Sequence, residues 1–585
     1  MNKNRKIHAV AMYLGAFFLL CNGQLFAAAK DEKVEAVFSN PIISGFAPDP
    51  SICRSGDDFY LVNSTFEYFP GIPIYHSRDL VNWSLISYAL HDPAQADLAA
   101  VKSSDGIHAS TIRCHNNRFY VITTNNIDGT MVNFIVTAAD PRGPWSQAFV
   151  LQDAPGIDPS LFFDDDGRSW YVGNHVPPDP EFPGQAEIWL QELDMEAMAL
   201  VGEKYYLWRG CCQGTWAEGP HIYKKNGYYY LLISEGGTSY DHALSIAISK
   251  DITGPYQNNP RNPVLTHRQL SYDHPITGVG HADLVELQDG RWYAVALGWR
   301  LINGKHGILG RETFLLPVSW ETEPYEWKEE KLSFPVFSPA TGKIELNYPL
   351  PYAAVKQQER SEFRDEFDDP QLNLEWNFRR SPVETFYSLS DRPGYLRLNL
   401  QLGKISERGQ YSFTGIRQRD FEFEVTTAIE FTAASPQEEA GLTVIQNDRS
   451  AYLMTLTAGE NGNKIVLYQS LFEKVTPIAE APLNAGKRDG GTIFLRVTGD
   501  YMDYQFSFSM DSFEWQALGG TIDGAALSPA VLGGFNYTGA YIGLYASSNG
   551  APAENHADFE FFSYRPQADD RDDWFYRQLR RSSSE

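Results

Sequence analysis

The amino-acid sequence predicts an all-β protein, with a five-bladed β-propeller followed by a C-terminal jelly-roll β-sandwich. Three observations lead to this prediction. A turn-and-strand signature rich in aromatic residues recurs five times in roughly the first 330 residues, and short alternating strands without helical periodicity follow it. The 34 prolines and 47 glycines are spread between the strands, as expected for turns. At 585 residues the chain is too long for one hydrophobic core, so at least two domains are expected.

The N-terminus has the features of a secretory signal peptide over residues 1–29. A basic start precedes an apolar run from Ala9 to Leu20, and the segment ends in Ala-Ala-Ala. It is too short and wrongly flanked for a membrane span. Cys21 would suit a lipoprotein, but Leu20 stands before it where a small residue is expected. We therefore expect an exported protein without a membrane span, located in a periplasm rather than in the medium.

Charge and cysteine content restrict the partners of the mature chain. The net charge of −26 makes nucleic acid and anionic membrane surfaces poor partners, whereas a neutral oligosaccharide or polysaccharide suits this surface. Four cysteines follow the signal peptide, too few for a disulfide framework in a chain of this length, and buried free thiols are the default expectation. They are Cys53, Cys114, Cys211 and Cys212. We expect a monomer or a small homo-oligomer.

Five repeats of roughly 50 to 60 residues make up the predicted propeller, residues 35–345. Their turn-and-strand signatures are "GDDFYLV", "NNRFYVI", "DGRSWYV", "NGYYYLL" and "DGRWYAV". Repeats of this length with four short strands each are typical of propeller blades. A β-sandwich with duplicated hairpins is the alternative, which the fixed period of the repeats disfavours.

An ionisable residue stands directly before the first strand of every repeat. The five segments are "APDPSI", "GIHASTI", "GIDPSLF", "AEGPHI" and "GHADLV". The innermost strands of a propeller surround its axis, so residues at equivalent positions converge on one mouth. The residues that this alignment brings together are Asp49, His108, Asp158, Glu218 and His281.

Three carboxylates at one mouth provide the groups that glycoside hydrolysis needs. One carboxyl group is held protonated to donate to the leaving oxygen, while a second stays ionised. A third carboxylate nearby disfavours ionisation of the acid and raises its pKa. A site for a hard cation and a set of unrelated strand-end turn residues are the alternatives.

These segments resemble glycoside hydrolase family 43, whose members are five-bladed propeller enzymes acting on polysaccharides that contain arabinose and xylose. The resemblance rests on "PDPSI", "GIDPSLF", "EGPHIYKKNGYYYLLISEGGT", "HRQLSYDHPITGVGHADLVE" and "LGRETFLLPVSW". It implies that Asp49 is the general base, Glu218 the general acid and Asp158 the group that modulates the pKa of Glu218. The family inverts configuration, which implies a base and an acid far enough apart to admit a water. No cofactor is implied for the chemistry.

The resemblance also implies further residues in the pocket. Arg311 would contact the sugar in the terminal subsite, with a solvated strand-end arginine as the alternative. His281 would approach a structural calcium ion on the propeller axis, with a hydrogen-bonded core histidine as the alternative. His108 stands where many relatives place an aromatic stacking wall. The candidates that would either line the pocket or pack in the core are Phe66, Phe69 and Trp216.

A different pattern of short alternating strands, predicted as a β-sandwich over residues 361–565, follows the last blade signature. It resembles the C-terminal sandwich of family 43 xylosidases and arabinofuranosidases, which implies that it packs on the propeller and closes one side of the pocket. A free-standing carbohydrate-binding module is the alternative. Asp365 and Asp558 are candidates for a shared calcium ion. Residues 566–585 are predicted to be a charged, frayed tail or a short terminal helix.

The expected function is that of an inverting, exo-acting glycoside hydrolase. It would release terminal non-reducing α-L-arabinofuranosyl or β-D-xylosyl residues from plant hemicellulose oligosaccharides such as those of xylan or xyloglucan, with a slight preference for arabinofuranosyl. An endo-acting arabinanase or xylanase of the same family and a non-catalytic sugar-binding protein are the alternatives. Fructan-cleaving enzymes share the architecture, but their Asn-Asp-Pro-Asn-Gly and Glu-Cys motifs do not match "APDPSI" and "AEGPH". Linkage and parent polymer depend on loop geometry that the sequence does not fix.

Overall fold

The computed structural model describes most of the chain after the predicted signal peptide. The described residues are 36–211, 214–272, 274–323, 331–460, 462–483, 491–533, 536–569, 571, 574–575 and 577–578. The predicted signal peptide and Cys212 lie outside them. The all-β prediction is confirmed, with strands throughout and short helical turns at Pro93–Gln95, Gly524–Leu527 and Pro529–Leu532. No helix in the described ranges is long and apolar enough to cross a membrane.

Five antiparallel sheets, one for each repeat, confirm the predicted propeller. The sheets are formed, blade by blade, by Ser51–Ser55, Asp58–Val62, Gly71–Ser77 and Ser84–Leu90; by Gly106–Ile107, Thr111–His115, Arg118–Ile127, Thr130–Ala138 and Phe149–Val150; by Ser160–Phe163, Ser169–His175, Glu187–Asp194 and Ala199–Trp208; by Glu218–Lys225, Tyr228–Glu235, Ala243–Ser249, Gln257–Asn258 and Leu265–Thr266; and by Ile276–Glu286, Trp292–Arg300, Arg311–Thr322 and Ser333–Phe337.

The inner strands of neighbouring blades contact one another in a closed ring around the axis. Val37–Ser39 pairs with Asn347–Pro349 beside this ring. The turns follow from local sequence: in blade 4 Asn226 and Gly227 take φ values of 53° and 78°, the left-handed conformation that a two-residue hairpin turn requires. The ring therefore places the residues before each inner strand at one end of the axis.

The second half of the chain forms a two-sheet β-sandwich, as predicted. One sheet consists of Phe363–Asp365, Tyr387–Ser388, Leu396–Asn399, Glu422–Glu430, Ile493–Asp500, Asp503–Ser509, Trp515–Ala517, Ile522–Asp523 and His556–Pro566. The other consists of Asn377–Arg379, Ser412–Arg417, Glu439–Asn447, Ser450–Gly459, Gly462–Leu471, Lys474–Pro482, Tyr541–Ser547 and one strand of the propeller, Tyr68–Phe69. Their inner faces carry buried aliphatic and aromatic side chains that form a shared core.

The two domains are joined by β-pairing and by buried charges. Tyr68–Phe69 leaves blade 1 and pairs with the sandwich strand that contains Phe378 and Arg379. The carboxylate of Glu67 lies 3.2 Å from the guanidinium of Arg379, and both side chains are fully buried. This arrangement decides between the two alternatives for Phe69, which packs in the core between the domains and is not part of the pocket lining.

The suggested calcium site of the sandwich is wrong, because its two carboxylates are far apart and already bound. Asp365 pairs with Phe562, four residues from Asp558 on the same strand, which is about 13 Å at strand spacing. Asp365 accepts the indole N–H of Trp376 at 2.8 Å, and Asp558 accepts from Arg397 at 2.7 Å. One ion cannot bridge them.

The predicted fraying of the tail is wrong at Trp574. The Trp574 side chain is 0% exposed and its ring lies 5.2 Å from that of Phe421. Its carbonyl oxygen accepts the hydroxyl of Tyr501 at 3.1 Å. The guanidinium of Arg300, from blade 5, lies 5.7 Å from the indole. The described part of the tail has helical backbone at residues 574–575 and 577–578 and covers the seam between the domains.

Candidate active site

The five ionisable residues that the repeat alignment brings together line one cavity of about 580 Å³, although Glu218 begins its inner strand and His281 lies within its own. They are Asp49, His108, Asp158, Glu218 and His281. Asp49, Asp158 and His281 adopt positive φ values of 50°, 55° and 45°. Such values are strained for residues other than glycine and occur mainly at functional sites. The strand entrances therefore turn these side chains towards a common space.

Asp49 is a buried carboxylate that its neighbours hold in the ionised form. Arg311 donates to both of its oxygens, Nη1 to Oδ1 at 2.8 Å and Nη2 to Oδ2 at 3.4 Å. Ser64 donates to Oδ2 at 2.6 Å, and His281 Nδ1 lies 3.8 Å from Oδ1. Burial opposes ionisation, but the charge of Arg311, the charge of His281 and the Ser64 hydrogen bond together outweigh it, so the pKa of Asp49 is lowered.

The pKa values of Glu218 and Asp158 are shifted in the opposite direction to that of Asp49. Burial raises the pKa of Glu218 well above its usual value, and the charges of Asp158 and Asp49 raise it further. Burial also raises the pKa of Asp158 to about 6, although the backbone N–H of Gly219 donates to its Oδ2 at 3.2 Å. One cavity thus holds a carboxylate that stays ionised and a carboxyl group that stays protonated, which is the division that acid–base catalysis requires.

His108 and Phe66 form one wall of the cavity. Their ring centroids are 5.2 Å apart. Burial lowers the pKa of His108 to about 4, so the ring is neutral near pH 7. The wall therefore presents a neutral imidazole beside a phenyl ring, at the position where the family resemblance implied an aromatic stacking surface.

Trp216 lines the mouth of the cavity and is not a core residue. Its side chain is 50% exposed and its φ is 52°. Two glycines make room for it: a Cβ at Gly184 or Gly237 would lie 3.0 or 3.1 Å from the indole. Trp216 and Glu218 are two residues apart in the chain, and both line the cavity.

The sandwich supplies part of the cavity wall that the sequence did not reveal. Pro529, Ala530, Asn536 and Tyr537 line it. The Tyr537 ring stacks on Phe66, with centroids 5.4 Å apart, and faces the guanidinium of Arg311 at 5.2 Å. Arg311 itself lines the cavity, although its charge is engaged by Asp49. The sandwich therefore closes one side of the pocket, as the resemblance implied.

Several propeller residues of the pocket were also missed by the sequence analysis. Thr238 accepts from Arg311 at 3.1 Å and lies in the "EGGT" segment. Tyr240, Thr277, Trp299, Leu301 and Lys305 complete the rim. Thr277 and Trp299 lie in strands of blade 5 and the others in loops, all outside the aligned positions. The "EGGT" segment was the one sequence motif that could have pointed to Thr238.

The propeller axis beneath the cavity is filled by a guanidinium group. Arg113 Nη1 lies 2.7 Å from Asp283 Oδ2, and Nη2 lies 2.9 Å from His221 Nδ1. Tyr223 and Ser51 also donate to Asp283, at 2.6 and 2.7 Å. Among the described residues, no cluster of three His, Cys, Asp or Glu side chains could hold a metal ion. Since Arg113 already balances the carboxylate on the axis, this donor set does not fit a calcium ion.

Comparisons with known proteins agree with this geometry. The family model of glycosyl hydrolases family 43 matches residues 38–324, and that of the beta xylosidase C-terminal concanavalin A-like domain matches residues 364–565. The chain is 41% identical to a xylosidase/arabinosidase of Butyrivibrio fibrisolvens over 533 residues, 90% of this chain and 99% of the relative.

Two further similarities concern Bacteroides ovatus. The chain is 39% identical to the non-reducing end alpha-L-arabinofuranosidase BoGH43B over 539 residues, 91% of this chain and 95% of the relative. The solved structure of Bacteroides ovatus Xyloglucan PUL GH43B superimposes with a TM-score of 0.82 at 38% identity, covering 91% of this chain and 100% of that one. Together with the carboxyl groups of the cavity, these matches show that the chain belongs to glycosyl hydrolases family 43 and is a glycoside hydrolase.

Proposed function

We propose that the protein is an inverting, exo-acting hydrolase that removes terminal α-L-arabinofuranosyl residues from hemicellulose oligosaccharides, with β-D-xylosyl residues as a second substrate. The observation that carries the proposal is a single cavity in which the pKa of Asp49 is lowered and that of Glu218 is raised. A sugar-binding protein without activity would not need two carboxyl groups whose pKa values are shifted in opposite directions.

The proposed reaction uses the two groups in one step. Asp49 takes a proton from a water molecule as its oxygen bonds to the anomeric carbon. The bond from that carbon to the glycosidic oxygen breaks as this oxygen takes the proton of Glu218. Asp158 transfers no proton. Its charge adds to burial in raising the pKa of Glu218, and the backbone N–H of Gly219 fixes its position.

An exo mode is supported by the closed side of the pocket. A chain that passed through the cavity would collide with the sandwich segment that carries Tyr537, whose ring is stacked on Phe66. A cavity of about 580 Å³ lies within the range of small-ligand pockets and suits one terminal sugar with part of its neighbour. An endo-acting enzyme would need an open cleft instead.

The preference for arabinofuranosyl rests on the relatives. One relative is named as a non-reducing end alpha-L-arabinofuranosidase and another as a xylosidase/arabinosidase. The lining residues by themselves suit either pentose. The leaving group is proposed to lie against Trp216, because the general acid Glu218 must face the glycosidic oxygen and Trp216, two residues before it, is an exposed residue of the cavity lining.

The remaining proposals concern the location of the protein, the charge of its substrate, its metal requirement and its assembly. The N-terminal features favour export, to a periplasm rather than to the medium. The net charge of −26 favours a neutral saccharide as partner. The arginine on the axis, Arg113, supports catalysis without a metal ion. A monomer or a small homo-oligomer remains our proposal for the assembly.

A paired assay tests the proposed function. The purified protein is given the 4-nitrophenyl α-L-arabinofuranoside and β-D-xyloside, then branched arabinoxylan and xyloglucan oligosaccharides, and the first-formed anomer is read by NMR. We expect free arabinose as the main product, with inverted configuration. A retained anomer would exclude the inverting reaction, and mixed oligosaccharides from a long arabinan would exclude the exo mode.

A further inference from the structure

His242 is a buried histidine beside the general acid to which none of the roles above applies. It directly precedes strand Ala243–Ser249 of blade 4, and its side chain is 0% exposed. Its Nδ1 lies 3.1 Å from the carbonyl oxygen of Gly278. Because a carbonyl oxygen can only accept a hydrogen bond, Nδ1 carries the ring proton in the neutral imidazole. The other nitrogen, Nε2, is therefore a bare acceptor.

The bare nitrogen faces the proposed general acid. Nε2 of His242 lies 4.0 Å from Oε1 of Glu218. It is buried, and no hydrogen-bond partner is found for it in the described part of the chain. Buried polar atoms are satisfied in most native structures, so an acceptor left bare next to a reacting group needs an explanation.

The surrounding backbone makes room for the imidazole ring at this position. A Cβ at Gly280 would lie 2.3 to 2.5 Å from three of the ring atoms of His242, which no side chain could tolerate. Gly278, whose carbonyl oxygen orients the ring, has a φ of 60°. Blade 5 is thus shaped around the imidazole of blade 4.

The charges around the two groups favour a neutral pair. Glu218 is faced by the carboxylates of Asp158 and Asp49, which oppose its ionisation, and by Arg311, which favours it. The phenol of Tyr537 also lies within range of its charge.

His242 is kept neutral by its own surroundings. Burial lowers its pKa to about 3, the Gly278 carbonyl opposes this shift, and the charges of His281 and Arg311 add to it. Asp49 acts in the opposite direction but does not outweigh burial.

We propose that His242 is a positioning residue that keeps Glu218 protonated between turnovers, an inference that rests on the proposed role of Glu218 as general acid. The lone pair of Nε2 accepts the carboxyl proton when the gap of 4.0 Å tightens, and it repels a carboxylate oxygen at the same place. Catalytic hydrogen bonds are often long in the free enzyme and shorten in the complex. When substrate binds, the carboxyl group turns its O–H towards the glycosidic oxygen. His242 neither gains nor loses a proton.

Two amide substitutions separate this role from a structural one. In His242→Asn the amide nitrogen takes the place of Nδ1, so the bond to Gly278 is kept and the acceptor facing Glu218 is lost. In His242→Gln the amide oxygen takes the place of Nε2, so the acceptor is kept and the bond to Gly278 is lost. The measurement is kcat/KM as a function of pH on an arabinoxylan oligosaccharide. The alkaline limb of this profile reports the pKa of the general acid in the free enzyme.

We expect the alkaline limb of His242→Asn to move about one pH unit lower, as expected for the loss of one hydrogen bond to the protonated acid, and that of His242→Gln to stay near wild type. With a dinitrophenyl glycoside, whose leaving group needs no proton, His242→Asn should match wild type. An unshifted limb in His242→Asn, or a larger loss in His242→Gln, would overturn the proposal. Glu218→Gln in the same assay keeps the two hypotheses apart: full activity there would refute the acid assignment itself, whatever His242 does.

Discussion

The guanidinium of Arg311 donates to both carboxylate oxygens of Asp49, at 2.8 and 3.4 Å, and also lies against two aromatic rings. Its central carbon is 5.6 Å from the Phe66 ring and 5.2 Å from the Tyr537 ring, and these two rings stack on each other. Phe66 belongs to the propeller and Tyr537 to the sandwich. The ionisation of the proposed base therefore depends on how the two domains pack.

Replacing Arg311 with lysine should raise the pKa of Asp49. Lysine offers a point charge in place of a two-pronged donor, so the carboxylate loses part of its stabilisation. Asp49 must be ionised to accept a proton, and the acid limb of kcat/KM should therefore move to higher pH, by about one unit. Arg142→Lys is the matched control, because Arg142 is exposed and pairs with Asp140 on the surface. An acid limb that stays in place would contradict the assigned role of Arg311.

Replacing Glu218 with glutamine should abolish turnover of oligosaccharides and leave sugar binding largely intact. Glutamine has nearly the same shape but no proton to donate, and loss of general acid catalysis costs about 10²- to 10⁴-fold. Calorimetric titration with arabinose or an oligosaccharide measures the binding, and product release measures the rate. A variant that keeps its full rate would show that the acid is another residue.

Replacing Asp158 with asparagine should lower the pKa of Glu218. The substitution removes the charge that opposes ionisation of the acid most strongly after burial. Since Glu218 works only when protonated, the alkaline limb of kcat/KM should move to lower pH. Asp166→Asn is a control, because Asp166 lies in an exposed turn of the same blade and pairs with Arg168. An alkaline limb that moved to higher pH would contradict the assigned effect of Asp158 on the pKa of Glu218.

Replacing Trp216 with alanine should weaken the binding of longer substrates more than it slows the chemistry. Stacking of a sugar on an exposed indole buries apolar surface, and its loss should raise KM about 10-fold. A glycosyl fluoride, whose leaving group is a single atom, provides the contrast: its kcat/KM should hardly change. Equal losses on both substrates would mean that Trp216 supports the fold and not the leaving group.

Removal of divalent cations should leave the activity unchanged. Arg113 already places a positive charge against Asp283 on the axis, so a chelator takes nothing away that the reaction needs. Arg113→Met should instead destabilise the protein by about 3–5 kcal/mol, because it leaves the buried carboxylate of Asp283 without the cation that balances its charge. Activity that falls with chelator and returns with calcium would refute the absence of an axial ion.

The blades and the carboxyl cluster could be predicted because their signals are local and repeated. The tyrosines Tyr60, Tyr120 and Tyr230 fall at the same phase of three repeats, and that phase alone places Asp49 and Glu218 at equivalent ends of two inner strands. Circular closure then brings them into one cavity without any further information from the sequence.

The remaining features depend on contacts between distant segments. Tyr537 reaches the pocket from the sandwich, and Phe69 leaves it to join the sandwich, so neither side chain could be placed from its own repeat. Trp574 reads as part of a charged tail, yet its indole is covered by Phe421. Alternation and turn residues fix strands, but they do not fix which surfaces meet.

The strand Tyr68–Phe69 limits how the two domains can evolve separately. Because a piece of the first blade completes a sheet of the other half, a cut between the halves would leave unpaired backbone groups on one side and an orphaned strand on the other. Neither half can be exchanged for a foreign counterpart without losing that seam, so the two are expected to be inherited as one piece.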